Sequence, residues 1–136
     1  RVLTSAISFI LICSLFTSLA LAATLRASKY ISSYNAVIYS SGNEITVDCS
    51  ITGTGRMKTI GIKSVKIYTS SGTNVATYSY TTDGYEYLMG SDTGRKTASV
   101  TYTGTSGKSY YAVVVFYASD GSGGDSRSYT TKTITV

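Results

Sequence analysis

The side chains that most often carry covalent or metal chemistry are scarce in this sequence. It contains no histidine and only two cysteines, Cys13 and Cys49. Ser-His-Asp triads, Cys-His pairs and histidine-based metal sites therefore cannot be built from it. Because Cys49 also falls on the apolar face of an alternating segment, it is expected to point into a core. The sequence predicts a protein that is not an enzyme and has no catalytic residues.

Carboxylates offer the remaining route to acid–base or metal chemistry. Asp83 and Glu86 share one irregular segment, but Asp83 precedes a glycine, which is typical of a solvated turn. Asp120 and Asp125 flank a glycine-rich turn, and two carboxylates fall short of the about six to eight oxygen ligands of Ca²⁺. We therefore expect neither a metal site nor a cofactor.

Tyrosine is the residue that most favours a binding function. The chain has 13 tyrosines and no tryptophan. A tyrosine ring with its hydroxyl suits both sugar faces and protein contacts. Tyr85 and Tyr87 lie in the longest irregular stretch, and Tyr111 and Tyr117 alternate with inward residues of an apolar segment, so these four are the predicted binding residues. The alternative is that the tyrosines pair across strands as an ordinary sheet surface.

The first 22 residues form a predicted signal peptide. Residues 6–22 are apolar and uncharged, and they end in Ala20-Leu21-Ala22, a small-x-small pattern that signal peptidase recognises. Cleavage is expected before Ala23, with 23–29 as a flexible lead. The alternative is a retained membrane anchor, which needs about 20 apolar residues and a basic stop after them. A secreted, extracellular protein is therefore predicted, with no membrane contact once the signal is removed.

Charge and cysteine content limit the partners of the mature domain. It would keep eleven of the twelve basic residues and all seven acidic ones, and the basic residues are scattered singly apart from the adjacent Arg95 and Lys96. Such a pattern does not favour nucleic acid as a partner. Since Cys49 would be alone, no internal disulfide can form, and the core and sheet must hold the domain together.

Alternation of apolar and polar residues predicts an all-β domain over residues 30–136. The segment 110–118 is apolar on both faces, as expected of a central strand. A change of phase between Ile62 and Val65, with Gly61 beside it, predicts a bulge or a bend into a separate strand. Seven strands with glycine-rich turns indicate an antiparallel sandwich. The predicted strands are 30–39, 44–52, 59–69, 74–80, 95–103, 110–118 and 127–136.

Two resemblances to known protein families make the fold prediction more specific. In the stretch 107–129, Tyr110, Ala112, Val114 and Ala118 alternate before a glycine turn, and this resembles the last hairpin of fibronectin type III and other immunoglobulin-like domains. Other segments resemble a family of small secreted β-sandwich proteins of uncharacterised function from Gram-positive bacteria. The resemblance implies an immunoglobulin-like fold and no particular chemistry, because its motifs are turns and core positions. Those segments include Leu25-Arg26-Ala27-Ser28, Thr52-Gly53-Thr54-Gly55 and Gly124-Asp125-Ser126-Arg127.

Two classes of function fit these observations. In the first, a secreted module binds a glycan or a protein, outside the cell or in its envelope, through a tyrosine-bearing sheet face or loop. In the second, a structural envelope protein associates with copies of itself, and the same face is buried between copies.

Overall fold

A computed structural model describes residues 28–136, so the predicted signal peptide and most of the lead lie outside the described residues. The described part is all-β, with one short 3-10 turn at Glu86–Leu88. Within it, no helix is long and apolar enough to cross a membrane. The strands are β1 (Ile31–Ser41), β2 (Glu44–Thr69), β3 (Asn74–Ser79), β4 (Met89–Thr103), β5 (Ser109–Ser119), β6 (Gly124–Thr130) and β7 (Ile134–Thr135).

The long strand β2 joins two halves of one antiparallel sheet. Its first part pairs with β1 on one edge and with β4 on the other. Its last part pairs with β5 on one edge and with β3 on the other, and β6 and β7 pair with β5. We call β1, early β2 and β4 the first half-sheet, and β3, late β2, β5, β6 and β7 the second half-sheet. The sheet curls so that both inner faces enclose one hydrophobic core.

The core follows the predicted alternation. In β5, Tyr110 and Phe116 are buried together with the three small or branched residues between and beyond them, and none is more than 2% exposed. Early β2 buries every second residue in the same way, and Cys49 among them is buried and free. The predicted bulge is confirmed, because the register of β2 against β5 shifts between Ile62 and Ser64.

One predicted break in the sheet is wrong. The sequence places a turn between strands 44–52 and 59–69, but β2 runs through it, with only an irregularity against β4 between Thr52 and Met57. The reason is a contact with the two residues that precede β1. The backbone N–H of Thr54 donates to the Tyr30 carbonyl, and its hydroxyl donates to the Lys29 carbonyl. These bonds hold the glycine-rich segment extended.

Two other predicted strand boundaries also differ from those in the structure. The last strand is split into β6 and β7 by Thr131, which is buried and exchanges hydrogen bonds with the backbone of Ala112. Strand β4 begins at Met89 rather than at residue 95, because Met89 pairs with Gly61 of β2. The number of strands is still seven, because two predicted strands form the single strand β2 and one predicted strand forms both β6 and β7.

Candidate functional site

The outward side chains of β5 lie on one face of the second half-sheet. They are half-buried, in contrast to the buried residues with which they alternate. Neighbouring strands add the rest of this surface, since paired residues point to the same side. We call it the tyrosine face, and it comprises Lys63, Ser64, Lys66 and Tyr68 of β2, Tyr111, Val113, Val115 and Tyr117 of β5, and Ser126, Ser128 and Thr130 of β6.

Tyr111 is packed against another tyrosine. Its ring stacks on that of Tyr68, directly opposite in β2, with centroids 5.3 Å apart and planes 13° apart. Such an aromatic pair stabilises the sheet by about 0.5–1.5 kcal/mol beyond the area that it buries. One face of each ring is therefore occupied, which leaves the other face and the ring edges for a partner.

Tyr117 is fixed by a lysine and by a glycine. The Lys63 ammonium lies 4.5 Å from the centre of its ring, which is a cation–π contact. A Cβ atom at Gly124 would lie 2.8 Å from the Tyr117 hydroxyl oxygen, so any larger residue there would force the ring to shift. The ring is thus held on the surface of the sheet with one face towards a positive charge.

The tyrosine face is positively charged. Lys63 and Lys66 belong to it, and no carboxylate does. The aliphatic Val113 and Val115 lie between the two tyrosines. Gly61 of β2 pairs with Tyr117 at one end of this face, and the segment around the buried Leu88 covers Gly61. The long irregular stretch therefore contacts the tyrosine face only at this end.

Tyr85 and Tyr87 lie elsewhere, beside an edge of β4. The Tyr87 hydroxyl donates to the Ser99 carbonyl oxygen at 2.9 Å, and the Tyr78 hydroxyl donates to the Thr101 carbonyl oxygen at 2.7 Å. No described strand pairs with this edge, so the hydroxyls satisfy carbonyls that a sheet would otherwise leave open.

The three rings form a cluster. The Tyr85 centroid lies 5.1 Å from that of Tyr78 and 6.1 Å from that of Tyr87. Burial, followed by the nearby Tyr85 hydroxyl, raises the pKa of both Tyr78 and Tyr87. The structure therefore brings Tyr85 and Tyr87 together, and it brings Tyr111 and Tyr117 onto one face, but it does not unite the four predicted residues in one site.

The carboxylates of the glycine-rich turn are engaged locally. Asp120 accepts hydrogen bonds from the Ser122 N–H and hydroxyl and from the Gly123 N–H, and these bonds lower its pKa. Asp125 forms an ion pair with Arg127 at 2.9 Å. Within residues 28–136, no group of three or more His, Cys, Asp or Glu side chains is arranged to hold a metal ion.

The buried thiol has no nucleophilic character at neutral pH. Burial, followed by the neighbouring Asp48 charge, raises the pKa of Cys49 to about 12. A thiol with so high a pKa stays protonated, and the thiolate is the reactive form.

Sequence reasoning did not identify Tyr68, Lys63 and Lys66 as parts of the candidate surface. Their place depends on the register between β2 and β5, which one sequence does not specify, and on the bulge that turns Lys63 outward.

No protein-family model matches the chain. A search of curated proteins gives no match either.

Proposed function

We propose that this protein is a secreted, non-enzymatic, immunoglobulin-like module that binds an extracellular or cell-envelope partner through its tyrosine face. The order of pairing supports the fold assignment. With the two parts of β2 counted as separate strands, β1, early β2 and β4 correspond to strands A, B and E, while β3, late β2, β5 and β6 correspond to C′, C, F and G of immunoglobulin-like sandwiches.

The packing of the rings favours a protein partner over a glycan at this face. A sugar binds best against a freely presented ring, but Tyr111 has one face stacked on Tyr68 and Tyr117 has one face towards Lys63, so each ring offers only its other face. A flat surface of tyrosine, valine and lysine fits the aromatic core and polar rim of a protein contact. The observation that carries the proposal is this ordered set of half-buried rings on an otherwise solvent-facing sheet.

The positive charge of the tyrosine face indicates what kind of protein surface could bind it. Because Lys63 and Lys66 are not accompanied by carboxylates on this face, a partner surface with Asp and Glu side chains is complementary to it. In a two-fold contact between copies, the same face would meet itself and bring like charges together. The self-associating alternative is therefore the less favoured of the two functions.

The test uses charge reversal at two lysines. The double variant Lys63→Glu, Lys66→Glu should lose capture of acidic envelope proteins, while its free energy of unfolding should fall by only about 0.5–1 kcal/mol, because Lys66 is exposed and Lys63 loses only its cation–π contact with Tyr117. The control is Lys108→Glu, an exposed lysine outside the tyrosine face, which should bind as the native protein does. Unchanged capture by the double variant would contradict the proposal. Self-association of the native protein, seen as concentration-dependent sedimentation and lost in the double variant, would contradict it too.

Export is a separate part of the proposal. It is motivated by the apolar run and the Ala20-Leu21-Ala22 pattern, which lie outside the described residues. Expressed from an added initiator methionine in a Gram-positive host, the protein should accumulate in the culture fluid with Ala23 as its first residue. Mass spectrometry that finds only full-length, membrane-bound chain would contradict export.

A further inference from the structure

The outer face of the first half-sheet differs from the tyrosine face in its chemistry. Its side chains are mostly short and carry hydroxyl, amide or carboxylate groups. They form rows across the three strands, with each row made of paired residues. We call it the hydroxyl face, and it comprises Asn35, Val37 and Tyr39 of β1, Thr46, Asp48 and Ser50 of β2, and Thr97, Ser99 and Thr101 of β4.

A depression of about 510 Å³ lies in the middle of this face. The residues that line it on all three strands are small or medium-sized. Its volume is within the range of about 300–1,000 Å³ that is usual for small-molecule sites. The outward side chains lining it are those of Asn35, Val37, Asp48, Ser50, Thr97 and Ser99.

The polar groups of the depression are largely free to bind a ligand. One carboxylate oxygen of Asp48 accepts the Ser99 hydroxyl, and the other has no partner among residues 28–136. The side chains of Asn35, Ser50 and Thr97 form no hydrogen bond with another described residue, although all three are within or beside the depression. The site thus offers both donors and acceptors, as a ligand with several hydroxyl groups requires.

Apolar side chains border the same depression. Within the described part of the chain, the large hydrophobic residues that remain exposed are Val37 at 47%, Tyr39 at 46% and Tyr87 at 46%. Val37 lines the depression, and Tyr39 is the next outward residue of β1. Tyr87 lies at the β4 edge, where its hydroxyl binds the Ser99 carbonyl. All three therefore border the hydroxyl face, although they come from different parts of the sequence.

We propose that this depression binds a neutral sugar of one or two rings, as a segment of a glycan. A sugar ring has hydroxyl groups that pair with Asp48, Asn35 and the neighbouring hydroxyls, and C–H faces that pack against Val37 or tyrosine. Asp48 is the only charged residue lining the depression, so it disfavours anionic ligands, and one carboxylate is too few for Ca²⁺. This site lies on the opposite surface from the tyrosine face and does not rest on the function proposed above.

The test is a titration of the ¹⁵N-labelled protein with cellohexaose, maltohexaose and chitohexaose, followed by amide chemical shifts. At least one of these neutral glycans should shift the amides of Asn35, Ser50 and Thr97 and leave those of Tyr111 and Val115 unchanged. Ligand concentrations up to about 10 mM cover the millimolar affinities expected of a shallow site. No shift with any of the three glycans, or shifts confined to the tyrosine face, would overturn the proposal.

Two variants connect the shifts to the depression. Asp48→Asn keeps an oxygen that accepts the Ser99 hydroxyl, but it replaces the free carboxylate oxygen by an amide donor, and it should weaken binding about tenfold, or about 1.4 kcal/mol. Thr103→Ala is the control, because Thr103 is on the same face of β4 at the far end of the pairing with β2, and it should leave the affinity unchanged. Equal affinities for Asp48→Asn and the native protein would overturn the assignment of Asp48.

Discussion

The two outer faces of the sheet are built on the same strand and yet are opposite in character. On the tyrosine face, large side chains lie opposite one another, as Tyr68 does with Tyr111, and they fill the surface. On the hydroxyl face, Ser50 lies between Asn35 and Thr97, and a depression remains. Both inner faces contribute to one core, so the residues at the outer positions of the two half-sheets can differ without changing that core. The two outer faces differ in the size of the side chains that lie opposite one another on neighbouring strands.

The two half-sheets join within β2, and a substitution at this junction can disturb both the tyrosine face and the hydroxyl face. At Gly61, β2 is flanked by β4 and β5 together. A Cβ atom there would clash with the Leu88 carbonyl oxygen and lie 2.8 Å from Met89 Cα, and backbone cannot move aside cheaply. Gly61→Ala should therefore lower the free energy of unfolding by about 3 kcal/mol, measured by urea denaturation.

Gly55→Ala provides the matched control for this prediction. Gly55 is in the same strand, but a Cβ atom there would meet no heavy atom within 4 Å. Its substitution should change stability by no more than about 0.5 kcal/mol. If the two variants were equally stable, the close approach of the irregular segment to β2 would not be a structural requirement.

Much of the inner side of the fold could be predicted from sequence, because period-two alternation is a local signal. It placed Cys49 and Phe116 inward, Tyr111 and Tyr117 outward, and it located the bulge after Ile62. What failed depended on distant residues. The extended path of β2 near Thr54 is held by carbonyls of Lys29 and Tyr30, and no local pattern reports a contact 25 positions away.

The candidate sites were predictable only in part, for a related reason. Outward tyrosines could be recognised, but the stack of Tyr111 on Tyr68 required the register. The hydroxyl face gave no signal at all. Serine and threonine are common at solvent-facing strand positions, and the depression depends on the register that places small residues beside one another, as it does Ser50 and Thr97.

A second prediction compares one tyrosine from each face. Tyr117 is half-buried beneath Lys63, whereas Tyr39 is 46% exposed. Tyr117→Ala should cost about 1–2 kcal/mol of unfolding free energy through lost burial and the lost cation–π contact. Tyr39→Ala should stay within about 0.5 kcal/mol of the native protein. Equal costs in urea denaturation would mean that the two faces are packed alike.

A third prediction concerns the core beneath the hydroxyl face. Cys49 is inward in β2 between Ala36 and Ala98, so its replacement leaves only a small cavity. Cys49→Ala should cost about 1 kcal/mol at pH 7. Rapid labelling of the native thiol at neutral pH would show that this residue is accessible and would contradict its inward position.

The cost of Cys49→Ala should also depend on pH. The pKa of Cys49 rises from an ordinary value of 9.0 to about 12 in the folded protein. Its contribution to stability is therefore fully present below pH 9 and is lost as the pH rises towards 12, since the unfolded chain releases the proton first. Unfolding measured at pH 7 and pH 10 should show the native protein losing more stability than Cys49→Ala. Equal losses would mean that burial does not perturb this thiol.

The smallest predicted effect belongs to Tyr87, at the border of the hydroxyl face. Tyr87→Phe removes the hydrogen bond to the Ser99 carbonyl while the ring is kept, and water can reach that open edge of β4. The expected cost is about 0.5–1 kcal/mol, at the lower end for a bond whose acceptor can be hydrated.

Tyr85→Phe is the control for Tyr87→Phe, since the Tyr85 hydroxyl binds no other described residue, and it should cost less than about 0.5 kcal/mol. If the hydroxyl of Tyr87 only closes the edge, its loss should leave the affinity for glycan within about a factor of three, or about 0.7 kcal/mol, of the native value. A loss as large as that of Asp48→Asn would instead make the Tyr87 hydroxyl part of the sugar site. The border of the hydroxyl face would then extend beyond β4 to the 3-10 turn, and the long irregular stretch would share in recognition.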